Sequence, residues 1–408
     1  MCVLTIMAFA SWLNASCRNR QESAPANKAS ESVSVFLAFV RGISAQNETL
    51  TIDKLLLELA RQSGRQVSSQ LMSPSRSLQQ GAISHAMPRV LATIERPRGM
   101  ATATKDWYAK LFFGYAESVD QLEVIAWNEE RGEFEFLVIE DLSKKTPVDV
   151  RKVVAEPIEN CSGCHQNKAP IFGMDPWSET NSNDEVSRAI RQALSSRHMS
   201  TTSYFGVPTV TSFGDSQTFD TATDDASELM GLQRLWRESC STEHLVECRT
   251  LLITLSLAGK LFPDNLGPAQ KDDYNRLRKL WLEDFPSQGI HIVSSSLGDE
   301  LMDVGFLEPL DPAVPRSTFK FDGKLPENGD FGLKHDHLSE EFSYKNGYDS
   351  TLVFSWMRGL VFSEDWNTMK DQLPDYQTLR TRILAPVCQD QLREVIDRRT
   401  IWRCISAQ

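Results

Sequence analysis

The chain has 408 residues, 41% of them apolar and 24% charged, and a formal net charge of −12. That length allows a sizeable core spread over two or three domains, and the composition excludes wholesale disorder. The acidic balance disfavours nucleic acid and an anionic membrane face as partners, and it suits a basic partner protein.

Residues 2–16 carry no charge and are mostly apolar or small. The stretch is short for a transmembrane helix and has the length of a signal-peptide apolar region. Asn14-Ala15-Ser16-Cys17 reads as a degenerate lipoprotein cleavage box with Cys17 as the lipid-bearing residue. No Lys or Arg precedes the apolar run, and Leu13 stands one place too far from the cysteine, so a plain leader or anchor is the alternative. The expectation is a signal peptide over 1–17, a polar tether over 18–31, and an exported protein that is periplasmic or anchored facing the periplasm. Membrane contact would come only through that leader or lipid.

Further along, Ile52, Leu55, Leu56 and Leu59 recur at helical spacing. Residues 73–92 are rich in Ser, Gln and Arg before turning apolar around Pro88. Leu122, Val124 and Ala126 then alternate with Glu123, Ile125 and Trp127. After a loop ending in Gly132, Phe134, Phe136 and Val138 alternate with Glu133, Glu135 and Leu137. This predicts a β-hairpin, apolar enough on both faces to be covered on two sides. From residue 223 the pattern turns helical. Leu229, Leu232, Leu235 and Trp236 form one stripe, 245–258 an apolar run stopped by Gly259 and Pro263, and Tyr274, Leu277, Leu280 and Trp281 another stripe stopped by Pro286. Residues 286–350 read as loops and 376–398 as helix. The fold class is α+β, mostly helical, with a small antiparallel β-hairpin sheet preceding a cysteine-bearing segment that begins near residue 159. The expected division is a hairpin-containing domain over 32–225 and a mainly helical region over 226–408.

That segment contains Cys161-Ser-Gly-Cys164-His165. Two thiols spaced C-x-x-C can form thioethers to the two vinyl groups of a haem, and the adjacent histidine is then placed to ligate the iron. The competing chemistries are less well supplied. A zinc site would need two more ligands and no second C-x-x-C exists, while a thioredoxin-like pair lacks a surrounding βαβ pattern. One covalent haem c is therefore expected on Cys161, Cys164 and His165. The ring nitrogen turned away from iron would donate to a backbone carbonyl, for which Pro170 is the expected source. For the sixth ligand, Met199, 34 residues after His165, is preferred over His198, with Met174, Met230, His85, Met87 and Met100 as other candidates and an open iron also allowed. Phe172 and Trp177 suit packing at the haem edge. Arg76 and Arg89 could bind haem propionates, against an ordinary reading as solvated surface. His335-Asp336-His337 has a metal-like look but no third ligand nearby.

The remaining cysteines, Cys240, Cys248, Cys388 and Cys404, fall into two local pairs, and the sequence-local pairing is expected in an oxidising compartment. Four buried free thiols are the alternative.

Three stretches, SPSRSLQQ at 73–80, QLEVIAWNEERGEFEFLVIED at 121–141 and CSGCHQNKAPIFGMDPWSETN at 161–181, resemble a group of exported bacterial cytochrome c domain-containing proteins. These carry a single C-x-x-C-H motif followed by Pro-Ile-Phe or Pro-Ile-Trp and a nearby Pro-Trp. The resemblance spans about residues 70–225. It implies haem binding at Cys161, Cys164 and His165 and names no substrate. The expected function is periplasmic single-electron transfer to or from a redox partner protein. The alternatives are a haem-based sensor or small-ligand binder, and a monohaem peroxidase-like enzyme.

Overall fold

The computed structural model describes residues 34–44, 51–73, 83–96, 107–142, 153–155, 165, 169–170, 180–257, 267–284, 290–291, 341–342, 373–391, 401 and 404–405. At the centre of the first half is a six-stranded antiparallel meander, strand order β1-β2-β3-β4-β5-β6. Its strands are β1 (Val67–Met72), β2 (Arg89–Ile94), β3 (Leu111–Ala116), β4 (Gln121–Asn128), β5 (Glu133–Glu140) and β6 (Val153–Ala155).

The expected hairpin is β4–β5, with Trp127 opposite Phe134 and Ile125 opposite Phe136. Its turn is stabilised by the Asn128 side chain, whose Oδ1 accepts from the backbone N–H groups of Glu130 and Arg131. Gly132 closes the turn at φ 57°, a left-handed conformation that glycine adopts without penalty. The sheet is larger than the small hairpin sheet expected. The missed strands β1, β2 and β3 lack clean alternation, and β3 is buried at every position. A strand covered on both faces reads as a continuous apolar run.

Side chains alternate between the faces, so register assigns each residue to one of them. Phe113 turns to one face, where the rings of Phe36 and Phe39 from α1 (Val35–Ser44) lie 6.0 and 5.8 Å away. Helix α2 (Ile52–Ser63) presents Ile52, Leu55 and Leu59 to the same core and ends on Gly64 at φ 66°. Phe112 turns to the other face. There it meets Phe134 at 6.5 Å and Phe219 of the long helix α4 (Phe213–Glu238) at 6.2 Å. Helix α3 (Asp184–Ser196), N-capped by Asn183, adds Ile190 and Leu194 to this main core.

A second hydrophobic cluster begins on α4 with Leu232 and Trp236, directly after Met230, the last α4 contribution to the first. It is built around α5 (Leu245–Leu257), buried without interruption from Cys248 to Leu257. Against α5 pack α6 (Pro268–Asp284), through Leu277, Leu280 and Trp281, and α7 (Tyr376–Leu384), through Leu379 and Ile383. The expected helix over 376–398 is divided: α7 ends at Leu384 and α8 (Pro386–Gln391) begins on Pro386. Proline has no N–H to continue the first helix but suits the first position of the next. Both sequence-local disulfides are formed, Cys240–Cys248 at 1.97 Å and Cys388–Cys404 at 2.06 Å. Among the described residues no helix is long and apolar enough to cross a membrane. Residues 1–31 and their leader, lipid-box and tether expectations lie outside the described residues.

Candidate functional site

His165 is the described member of the Cys-x-x-Cys-His motif; Cys161 and Cys164 lie outside the described residues. The half-buried imidazole packs on Phe136 of β5, with ring centroids 5.1 Å apart and planes at 58°. Phe136 shares its sheet face with Ile125 and Phe112, so His165 sits on the face that α4 partly covers. The alternation that marked Phe136 as strand gave no sign that its ring would be the seat of His165.

The Nδ1 of His165 lies 2.8 Å from the backbone oxygen of Ala169. A carbonyl can only accept, so Nδ1 is the donor in this contact, and in the neutral imidazole the lone pair then belongs to Nε2. This fixes both tautomer and ring orientation, the condition for a ligating histidine. The carbonyl is that of Ala169 rather than the expected Pro170, one residue earlier. Ala169 is fully buried and small enough for its backbone to approach the ring, and Pro170 is itself packed into the interior.

On the same sheet face, Arg89 of β2 lays its guanidinium over Gly114 of β3 and donates through Nη2 to Glu123 of β4. Its side chain is 14% exposed, which corrects the reading of Arg89 as solvated surface. A Cβ at position 114 would stand 2.6 Å from Nη2 and 2.7 Å from Nε, so the absent side chain is what lets the guanidinium lie flat. Burial lowers the Arg89 pKa to about 10, still well above neutrality, so the group is a cation. Glu123 balances it.

Four of the described sixth-ligand candidates lie in two turns. Ser84 and Met87 close a tight turn holding His85, and His198 and Met199 follow the end of α3. Arg197 joins these two turns. Its guanidinium donates to Ala86 O and, in a bidentate pair at 2.9 and 3.0 Å, to Glu117, which also accepts from the Tyr204 hydroxyl. The Arg197 hydrogen bond, the largest influence, holds the Glu117 carboxyl below its usual range, and burial pushes the Tyr204 phenol up. His198 is exposed at φ 56°, whereas Met199 packs against the main core and Met230 is buried within it. The placement of Met199 lends ligation no support of its own. Met100, Met174, Arg76, Phe172, Trp177 and His335-Asp336-His337 lie outside the described residues.

Among the described residues no group of three or more His, Cys, Asp or Glu could hold a bare metal ion. A cavity of about 480 Å³ lined by His244, Thr250, Leu251 and Arg380 belongs to the second cluster and shares no residue with the His165 seat. No family model, curated protein or solved structure matches the chain.

Proposed function

We propose that the protein is an exported c-type haem protein that carries single electrons for a redox partner protein. One observation carries the reading: the histidine of the Cys-x-x-Cys-His string has Nδ1 committed to the Ala169 carbonyl, which orients the ring as a ligating histidine requires. The two disulfides support an oxidising compartment, where haem c is attached.

A haem held here would supply an iron that accepts and returns one electron. The chain would do the rest. The Cys161 and Cys164 thiols would hold the haem by adding across its two vinyl groups, sulfur to one carbon and hydrogen to the other, which needs no oxidant. His165 would ligate the iron, with its ring oriented by the Ala169 carbonyl and seated on Phe136. In this proposal the haem segment follows the β4–β5 hairpin and lies on its α4 face. Met199 enters as sixth ligand on its spacing from His165 alone.

The test is a pyridine haemochrome spectrum of protein produced with its leader in a host that matures c-type haem, beside a Cys161→Ala/Cys164→Ala control. Covalent haem in the wild type that vanishes in the control is expected. A colourless, folded wild type overturns the reading. In the same preparation Met199→Ala should convert a low-spin iron to high spin, and an unchanged spectrum would remove Met199 from the iron.

A further inference from the structure

Arg89 is a buried cation that the fold leaves incompletely satisfied. One edge of its guanidinium is taken by Glu123, while Nε is buried and has no hydrogen-bond partner among the described residues. A buried donor left unpaired costs about 1–3 kcal/mol, and more when it is charged, so such a group calls for an explanation. Arg65 Nε and Nη1 and Gln70 Nε2 are likewise buried without a partner among the described residues, so what singles out Arg89 is its place on the sheet.

The position of Arg89 is as informative as its unpaired nitrogen. Gly114 and Phe136 lie on one sheet face, two strands and two residues apart. At a strand spacing of about 4.8 Å and a rise of about 3.4 Å per residue, that is about 12 Å across the sheet. His165 stands at one end of this span and the guanidinium lies at the other. A flat cofactor ligated by His165 along this face would bring its carboxylate rim toward Arg89. The guanidinium is the side chain best matched to a carboxylate.

We propose that Arg89, laid flat by Gly114 and balanced by Glu123, binds a haem propionate carboxylate. This assignment rests on the haem reading above. Arg89 is a binding and positioning residue here. It would hold the propionate ionised and pin the cofactor's rotation about the iron–His165 axis. The charged group facing it among the described residues is Glu123. A carboxylate of the chain itself is the competing occupant.

The test uses the covalent holoprotein and reads two properties, the pH dependence of the midpoint potential and the propionate bending band in the resonance Raman spectrum. An ionised propionate stabilises the oxidised iron, so the potential falls as pH rises through the propionate pKa. With Arg89 beside it, that inflection lies in the acid range. The Arg89→Gln/Glu123→Gln double variant removes the guanidinium without leaving Glu123 to titrate alone, and it keeps a polar, hydrogen-bonding side chain at both positions. Its inflection should move up by about one to three pH units, a tenfold to thousandfold weaker acid, and the Raman band should shift. Gly114→Ala keeps both charges but forces the guanidinium off the sheet, and it should move both readouts the same way. Covalent haem whose inflection and Raman band are unmoved in both variants overturns the propionate assignment alone and leaves the haem reading standing. A wild type without covalent haem overturns both.

Discussion

The Glu117 carboxylate shows how one residue can join segments far apart in the chain. It accepts from Arg197, 80 residues on, and from Tyr204, 87 residues on, while Arg197 also reaches back to Ala86. Because its pKa is lowered in the folded state, its contribution is complete above the unfolded carboxylate value of 4.5 and is lost as pH falls through the lower folded value. Glu117→Gln should therefore cost about 1–2 kcal/mol at neutral pH, a range already reduced for partial solvent screening. The difference from wild type should shrink on acidification below about pH 4.5. Urea titrations of both proteins from pH 7 to pH 3 measure it, and a pH-independent difference would show that the carboxylate does not work through its charge. At this same scale the Cys161-Ser-Gly-Cys164-His165 string is written in the sequence itself because its thiols and imidazole are neighbours. The Ala169 carbonyl was misplaced by one residue because a backbone acceptor has no side-chain signature. Arg89 was misread because an isolated arginine in sequence gives no indication that a glycine on the neighbouring strand will let its guanidinium lie against the sheet.

At the scale of elements, the β4–β5 hairpin and helices α2 and α6 were readable from periodicity, and α5 from an apolar run stopped by Gly259 and Pro263. Strands β2 and β3 were not, because burial on both faces erases alternation, and β1 was not because Ser68, Ser69 and Gln70 give its sequence no apolar alternation. The two disulfides tie down elements of the helical half and close separations of 8 and 16 residues. Loop-closure entropy grows with the logarithm of loop length. Removing Cys388–Cys404 should cost about 3 kcal/mol and removing Cys240–Cys248 about half a kcal/mol less. Paired Cys→Ser variants compared by thermal unfolding check the order. A larger loss at Cys240–Cys248 would show that native packing around that pair outweighs chain entropy.

For the whole molecule, the notable feature is that α4 runs without a break through two hydrophobic clusters, the division falling between Met230 and Leu232. Trp236, fully buried, anchors the second, and the guanidinium of Arg249 lies 4.8 Å from its ring centre. Trp236→Ala should cost about 3–5 kcal/mol through the cavity it leaves. Hydrogen exchange should then show protection falling in α5 and α6 while β3–β5 stay protected. Equal loss in both halves would mean that α4 couples them into one cooperative unit.

The sequence by itself determined the α+β class, the hairpin, the helical second half, the local cysteine pairing and the Cys161-Cys164-His165 string. Each is written in neighbouring residues, within the reach of a turn, a period or a short loop. Only the tertiary structure decided that the hairpin belongs to a six-stranded sheet. It alone seated His165 on Phe136 with Nδ1 held by Ala169, and it buried Arg89 on that same face. Those facts depend on which face of which strand comes to lie beside residues tens of positions away. Packing sets that juxtaposition, and local pattern carries no record of it.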